Sequence, residues 1–423
     1  MYYKICTGLP LVLFLGIGVY AQEGIHLMNA RVFDGMDVHF GWSVVTKGNE
    51  IIYAGPAKPK GSYHEELDLS GHTLLPGLIE GHSHLFLHPY NETTWNDQVL
   101  KESYAERTVR AVNHANATLM AGFTTVRDLG TEGADYLDVG LRDAINKGLM
   151  AGPKMLVAGK AIVATGSYGP KGFAPHVGVP LGAEAADGVD LIRVTRDQIG
   201  HGVDVIKVYA DYRWGLMGEA APTFSISELK SIVETAHASG RQVVAHASSK
   251  EGMRRAILAG VTTIEHGDAA DREIYDLMVA HDVALCPTLA AGDAIMQYRG
   301  WNKMSDSIPE RIILKKKSFA DALQSGVTIC AGGDVGVFPH GENVRELEMM
   351  VDYGMSELEV LRSVTSTNAR VFDMPDLGKI QSGFQADLIA VQGNPDTNIS
   401  ALRHVNVVMR QGKMYKSDLT SQH

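Results

Sequence analysis

The sequence predicts an α/β protein: a (β/α)8 TIM barrel with a small β-sandwich formed from the N- and C-terminal segments. Two observations lead to this fold class. From residue 75 to residue 368, short apolar segments alternate with longer amphipathic stretches, the pattern of strands that are each followed by a helix. Near both ends the pattern changes to short alternating strands, "IHLMNARVFDG" first and "VNVVMRQGKMYK" last. Residues 22–74 and 369–423 are therefore assigned to the sandwich.

Eight segments are predicted to be barrel strands, because each is short, apolar and followed by an amphipathic stretch. One such stretch, "SISELKSIVETAHASG", begins at Ser225 or Ser227, which can cap a helix, and stops at Gly240. A doubly wound nucleotide-binding sheet is the alternative, but the early "GHTLLPG" has the wrong spacing for its phosphate loop. In chain order the predicted strands are Leu74–Gly81, Phe123–Leu129, Met155–Ile162, Val205–Ala210, Gln242–Ala247, Thr263–His266, Ala284–Leu289 and Thr328–Gly332.

Residues 1–21 are predicted to be a signal peptide. Lys4 precedes the uncharged stretch Ile5–Ala21, and the small residues Val19 and Ala21 fit the −3 and −1 positions of a cleavage site before Gln22. We therefore expect a secreted or periplasmic protein that is not inserted in a membrane after cleavage. The alternative is an uncleaved anchor, although the stretch is short for a membrane span and contains proline and glycine.

The composition is that of an ordinary globular protein. Of 423 residues, 45% are hydrophobic and 21% charged, and the net charge is −11. The densest basic cluster is Lys315–Lys317, so nucleic acid is not expected as a partner. After signal cleavage two cysteines remain, Cys286 and Cys330, each inside an apolar run. We expect both to be buried strand thiols and not a disulfide scaffold.

Ionisable side chains stand at the ends of several predicted strands. A barrel brings the carboxyl ends of its strands to one face, where its chemistry is placed. Two histidines one residue apart on a strand project from the same side, so "GHSHLF" can bind a cation between two neutral imidazoles. Each residue alone could be an ordinary polar side chain, but their joint position predicts a metal centre. The predicted set is His82, His84, Lys207, His246, His266 and Asp334.

Lys207 is unusual in this set because it is a cation beside a cation site. An unpaired ammonium is costly to bury, and a buried lysine readily loses its proton. A neutral amine can take up carbon dioxide and become a carbamate, a bidentate oxygen ligand that can bridge two metals. Two divalent ions would then face three negative charges from the carbamate, Asp334 and a hydroxide, which leaves a small positive excess for a developing oxyanion.

The chain resembles the amidohydrolase superfamily, in its binuclear subtype with a carboxylated lysine. Within it, "GLIEGHSHLF", "AGFTTVRDLG", "GVDVIKVYAD", "VTTIEHGD" and "GENVRELEMMVDYGMSELEVLRSVTSTNAR" resemble the imidazolonepropionase-like and prolidase-like branch. Zinc suits imidazole and oxygen ligands, so two Zn²⁺ ions per chain are expected. The resemblance implies one ion on His82, His84 and Asp334 and one on His246 and His266, with carboxylated Lys207 between them.

The resemblance also implies the reaction, in which water activated at the metals attacks an amide carbonyl and Asp334 transfers its proton to the departing amine. Two positions depart from the prolidase-like branch. Tyr168 stands where a histidine commonly grips the substrate carbonyl, and its phenol can either donate a hydrogen bond there or pack in the core. Ser248 stands where a tyrosine often meets the substrate carboxylate. Tyr209, Tyr212 and Arg213 are possible substitutes, with a solvated surface position as the alternative for Arg213.

We expect a hydrolase of peptidyl or N-acyl amino acids, of the carboxypeptidase or dipeptidase kind or acting on ochratoxin-like amides. Its expected partners are small amide or peptide substrates and further copies of its own chain in a homo-oligomer. Two alternatives stay open. A mononuclear deaminase or cyclic-amide hydrolase would not need the bridging lysine, and a metal-free interaction protein would have lost ligands. Further loop histidines that could line the pocket are His88, His176 and His340.

Overall fold

The structure, a computed structural model, describes residues 24–56, 63–174 and 176–419. The predicted signal peptide lies outside the described residues. Within the described ranges no helix is long and apolar enough to cross a membrane. The strands are β1 Gly24–Phe33, β2 Val38–Lys47, β3 Glu50–Gly55, β4 Tyr63–Asp68, β5 His72–Pro76, β6 Leu78–Ser83, β7 Phe123–Asp128, β8 Lys154–Val157, β9 Ile162–Val163, β10 Glu184–Ala185, β11 Val205–Tyr209, β12 Asp211–Arg213, β13 Ala220–Pro222, β14 Gln242–Ala247, β15 Thr263–His266, β16 Ala284–Cys286, β17 Leu388–Gln392, β18 Val405–Arg410 and β19 Lys413–Ser417.

Strands from both ends of the chain combine in one eight-stranded sheet, formed by β1–β5 and β17–β19. The two ends meet where β5 pairs antiparallel with β17, with Leu75 opposite Ile389. Alternate residues of these strands point inward, and Leu27, Leu74 and Leu388 belong to a hydrophobic cluster separate from that of the barrel. The predicted sandwich of N- and C-terminal segments is confirmed.

Parallel strands in two sheets form the barrel, β6-β7-β8 and β9-β11-β14-β15-β16. The amide of Asp204 donates to the carbonyl of Val157 at 2.8 Å and so joins β8 to the start of β11. On the other side residues 328–335 close the ring, because Ile329 bridges to β16 and Val335 bridges to β6. The predicted TIM barrel is therefore confirmed.

Two predicted strands are divided in the structure. The prediction of one strand over residues 74–81 is wrong: the chain changes sheets at Gly77, where a Cβ would lie 2.1 Å from Thr124 Oγ1. The predicted boundary between residues 74 and 75 thus falls inside β5. The strand predicted over residues 155–162 breaks at Gly159, whose φ of +66° is in the left-handed region that favours glycine.

The predicted eighth strand, residues 328–332, is an extended segment with a single bridge. The side-chain amide of Asn368 replaces part of the ladder here, because it accepts a hydrogen bond from Ala331 N and donates one to Ala331 O. Close packing follows: a Cβ on Gly332 would lie 2.6 Å from the backbone nitrogen of His82. Cys286 and Cys330 are buried and unbridged, as predicted.

Helices cover the outside of the barrel. Ser225 caps one of them with a reciprocal pair of hydrogen bonds to Glu228, so the first of the two predicted caps is the one used. The helices are α1 Trp95–Lys101, α2 Tyr104–Met120, α3 Leu137–Asn146, α4 Asp190–Gly200, α5 Ile226–His237, α6 Lys250–Ala259, α7 Arg272–Ala280, α8 Leu289–Tyr298, α9 Glu310–Ser325, α10 Val344–Asp352, α11 Glu357–Arg362 and α12 Asn368–Val371, with a π-helix over Ser363–Thr367 and a 3-10 helix over Ile399–Arg403.

Candidate metal centre

A cavity of about 670 Å³ lies at the carboxyl ends of the barrel strands. β6 carries His82, and His84 follows directly after it. β14 and β15 each provide one further histidine, and the carboxylate follows the segment 328–332. The chain therefore brings together residues that are far apart in sequence. The predicted metal ligands that line this cavity are His82, His84, His246, His266 and Asp334, and the predicted substrate residues Tyr168, Tyr209 and Arg213 line it as well.

The ligand atoms are close enough to share cations. Atoms of His82, His266 and Asp334 lie within 4.8 Å of one another. Asp334 Oδ1 lies 3.3 Å from Nε2 of His84 and 3.6 Å from Nε2 of His82. The ring of His246 contacts that of His266, with 4.5 Å between centroids. Imidazole nitrogens and a carboxylate oxygen at these separations form a donor set for transition metals.

A second contact fixes the orientation of three of the histidines. In each ring Nδ1 has a hydrogen-bond partner, which leaves Nε2 facing the centre. Such outer contacts hold metal-binding histidines in one tautomer and one orientation. The Nδ1 atoms lie 2.8 Å from Glu265 Oε2 for His82, 2.7 Å from the Gly130 carbonyl oxygen for His84, and 2.8 Å from Thr288 Oγ1 for His266.

Left-handed backbone places several of these groups. The φ angles are +74° at His266, +60° at Asp334 and +50° at Thr288, a region that non-glycine residues rarely adopt. Because the turn at His266 breaks the alternation of β15, both His266 and its neighbour Glu265 reach the barrel interior. The strain is thus located where side chains must converge on one point.

The surroundings favour neutral imidazoles at three of the histidines and an ionised carboxylate at Asp334. Burial, helped by the positive charge of Lys207, lowers the pKa of His82 to about 4 and that of His246 to about 3, and burial holds the pKa of His266 well below its usual value. Burial acts to raise the pKa of Asp334, but the adjacent histidines and Lys207 outweigh it and lower that pKa to about 2. These are the protonation states that bind a metal ion.

His84 differs from the other histidines. Burial acts to lower its pKa, yet the contact with Asp334 outweighs burial and raises that pKa to about 9. The two side chains therefore share a proton at neutral pH. A cation bound between them competes with this proton, because both occupy the space between Nε2 and Oδ1.

Lys207 is buried among the other predicted ligands, with 1% of its surface exposed. Burial lowers the pKa of its amine, although Glu265 and Asp334 act in the opposite direction. No carboxylate of the described residues lies within 4 Å of its Nζ. The structure thus gives Lys207 no ion-pair partner to keep it protonated.

Sequence reasoning did not identify Glu265, which is fully buried next to His82. It accepts hydrogen bonds from Arg127 Nη2 at 2.8 Å and from Thr263 Oγ1 at 2.5 Å. Burial would raise the pKa of this carboxyl, but Arg127 and His82 outweigh it and hold that pKa well below its usual value. A glutamate inside the apolar strand "TIEH" is the one signal in the sequence that could have revealed it.

The predicted substrate residues have partners of their own. Tyr168 is buried, and its hydroxyl donates to Glu132 Oε2 at 2.5 Å, so the structure gives it a contact other than a substrate carbonyl. Tyr209 donates to Glu132 Oε1 at 3.3 Å. Arg213 is exposed at the mouth of the cavity, with its guanidinium carbon 5.7 Å from the ring centroid of Tyr212.

The three further histidines are outside the cavity lining. His88 is buried between Glu92 and Glu102, at 3.1 and 2.7 Å. His340 donates from Nε2 to the Leu87 carbonyl and stacks on a neighbouring imidazole, and His176 is exposed. These contacts give them no place among the metal-binding side chains.

The family model that matches the chain describes the amidohydrolase family, and it covers residues 73–415. The chain belongs to the amidohydrolase family. Amidohydrolases bind metals, and the convergent histidines and Asp334 are residues that can hold them. The prediction of a hydrolase that acts on amide bonds is thereby confirmed.

Similar proteins indicate to which branch of the amidohydrolase family the chain is related. Ochratoxinase from Aspergillus niger is 31% identical over an alignment of 376 residues, and the match covers 81% of this chain and 75% of that protein. The structure of a Xaa-Pro dipeptidase with bound methionine is 32% identical, with a TM-score of 0.83 over 93% of this chain and 100% of that one. A prolidase complexed with N-methylphosphonate-L-proline is 26% identical, with a TM-score of 0.81 over 93% and 100%. These prolidase and ochratoxinase relatives confirm the predicted imidazolonepropionase-like and prolidase-like branch.

Replacing Glu265 by Gln should weaken metal binding by about 10- to 100-fold, because the amide no longer holds His82 with a full negative charge. Competition with a chromophoric chelator measures the affinity, and circular dichroism checks that the variant folds. Glu251→Gln, at a half-buried carboxylate on α6 that pairs with two arginines away from the cavity, is the matched control. A folded Glu265→Gln protein with wild-type metal affinity would show that Glu265 does not orient His82 for metal binding.

Proposed function

We propose that the protein is an exported binuclear zinc amidohydrolase that cleaves the amide bond of peptidyl or N-acyl amino acids. The observation that carries the proposal is the convergence of His82, His266 and Asp334, whose ligand atoms lie within 4.8 Å of one another beneath an open cavity. The similarity to an ochratoxinase and a Xaa-Pro dipeptidase supports an amide whose departing group is an amino acid.

The residues fit two zinc ions. The neutral imidazoles of His82 and His266 and the ionised Asp334 would hold such ions. Lys207 has no ion-pair partner among the described residues, and as a carbamate it would supply a further oxygen ligand. Once bound, the ions would supply an activated water and polarise the amide carbonyl. Carbamate formation at Lys207 is favoured by the lowered pKa of its amine, because the neutral amine is the form that reacts.

Asp334 is proposed to carry a proton from the attacking water to the departing nitrogen of the amide. Its low pKa keeps Oδ1 and Oδ2 ionised at neutral pH, so one oxygen can accept a proton while the other stays near Nε2 of His84. The accepted proton is then given to the departing nitrogen of the amide, which leaves as a neutral amine. The left-handed backbone at Asp334 and the close packing of Gly332 hold the carboxylate at this position.

Arg213 is proposed to bind the carboxylate of the departing amino acid. It is exposed at the cavity mouth, and within the described ranges no acidic side chain lies within 4 Å of its guanidinium. A guanidinium binds a carboxylate through two parallel hydrogen bonds. This places the substrate with its carboxylate at the mouth and its amide carbonyl at the base of the cavity.

Purified protein should contain close to two zinc ions per chain and should hydrolyse members of a panel of dipeptides and N-acyl amino acids. Lys207→Ala should lose at least one ion, since the bridging ligand is gone, whereas Lys250→Ala on the surface of α6 should keep both. Elemental analysis and amine release measure these outcomes. Full activity with one ion per chain would favour the mononuclear deaminase or cyclic-amide hydrolase instead.

Asp334→Asn should lower kcat by about 10²- to 10⁴-fold, because the amide can ligate but cannot accept the proton. KM should change little, since the carboxylate does not meet the substrate before reaction. Metal content, measured on the same sample, should fall only modestly. Asp190→Asn, at an exposed position on α4, is the control. Near-normal turnover with both ions bound would assign the base to another residue.

Export is proposed from the N-terminal sequence. If the signal peptide is cleaved after Ala21, N-terminal sequencing of the exported protein should begin at Gln22 or at the pyroglutamate that forms from it. Active material that retains Met1 and sediments with membranes would instead support an uncleaved anchor.

A further inference from the structure

One wall of the cavity is formed by aromatic rings around a single carboxylate. Trp95, Tyr168, Tyr209 and Tyr212 all line the cavity, with 4.7 to 5.9 Å between the centroids of their contacting rings. Glu132 lies among them and also lines the cavity. The wall adjoins the metal-binding side chains, because the ring of Tyr209 stacks on that of His246 with 4.5 Å between centroids, but the proposed reaction does not use Glu132.

The Glu132 carboxylate is held firmly and keeps one open position. Its Oε2 accepts hydrogen bonds from Tyr168 at 2.5 Å and from Trp95 Nε1 at 3.0 Å. Among the described residues, Oε1 accepts only the longer hydrogen bond from Tyr209, at 3.3 Å. A carboxylate oxygen has two lone pairs, so Oε1 can accept a further donor. The φ of +49° at Glu132 shows that the backbone adopts a rare conformation to present this side chain.

Glu132 has no cationic partner in the described part of the chain. Only 3% of its surface is exposed, yet no lysine, arginine or histidine nitrogen there lies within 4 Å of its carboxylate. Arg107 is close, but its guanidinium donates to the main-chain carbonyls of Phe86, Thr131 and Glu132 itself. Buried carboxylates are normally paired, and aromatic faces attract cations, so this wall has the chemistry of an ammonium site.

A single substrate residue is long enough to reach from the metal centre to this wall. A Cβ built on Gly130 would lie 3.6 Å from Glu132 Oε1 and 3.9 Å from Cε1 of His84, so these two atoms are within about 7.5 Å of each other. An α-amino group is two bonds from the carbonyl carbon of its own residue. An acyl residue with its carbonyl at the metals can therefore place its ammonium near Glu132.

We infer that Glu132, with the rings of Trp95, Tyr168 and Tyr209, binds the ammonium group of the residue on the acyl side of the scissile amide. The inference rests on the proposed function and specifies the preferred substrate class: peptides with a free amino terminus are preferred over N-acyl amino acids. No bond is made or broken at this site, which acts by positioning the substrate.

The test compares L-leucyl-L-phenylalanine with its N-acetyl derivative at pH 7, where an α-amino group is largely protonated. A hydrogen bond to a charged group corresponds to about 10- to 100-fold in kcat/KM. Wild-type enzyme should favour the free amine by this factor, and Glu132→Gln should reduce the preference to within about threefold. Glu106→Gln, an exposed carboxylate on α2, is the matched control and should keep the preference.

A binding measurement separates this inference from the hydrolase proposal. Isothermal titration of the metal-loaded protein with L-leucinamide and N-acetyl-L-leucinamide should show about tenfold weaker binding of the first alone in Glu132→Gln. If neither peptide is cleaved but this difference is seen, the hydrolase proposal fails and the ammonium site stands. The site is refuted if wild-type enzyme treats free and acetylated ligands alike, or if Glu132→Gln weakens both equally, as a purely structural carboxylate would.

Discussion

The buried carboxylate of Glu265 holds the interior of the barrel in one arrangement. Glu265 contacts both the guanidinium of Arg127 and the imidazole of His82, and so links a cation on β7 to an imidazole on β6. Arg127 also donates to the carbonyl of Gly81 and lies 4.0 Å from the ring of Phe372. Removing one member of a buried charged set leaves the others uncompensated, at a cost of about 3–5 kcal/mol. The metal-binding side chains keep their orientation only while Arg127, Glu265 and His82 are all present.

The two walls of the cavity differ in their chemistry. At one wall the histidines and the ionised Asp334 form a donor set for metal ions. At the other, the Glu132 carboxylate lies among aromatic rings. If both proposals hold, a substrate with an ammonium next to its reacting carbonyl binds with the carbonyl at the first wall and the ammonium at the second. Reaction and recognition would then be carried out by different side chains.

Much of this arrangement could be predicted because strand order and strand ends are visible in the sequence. The histidines at the ends of β6, β14 and β15 follow apolar runs directly, and a parallel barrel must bring those ends together. Glu265 and Glu132 could not be predicted in the same way, because their importance comes from neighbours distant in the chain. The break at Gly159 was missed for a related reason: an apolar run does not show where the strand changes its partner.

The pairing of β5 with β17 has a consequence for the order in which the protein can be made. β5 is synthesised early, but the strand that pairs with it follows about 300 residues later. Until then β5 has an unpaired edge that is apolar and able to pair with another chain. Contacts this distant in sequence form slowly and late. The nascent chain therefore cannot complete its first sheet before almost its whole length has left the ribosome.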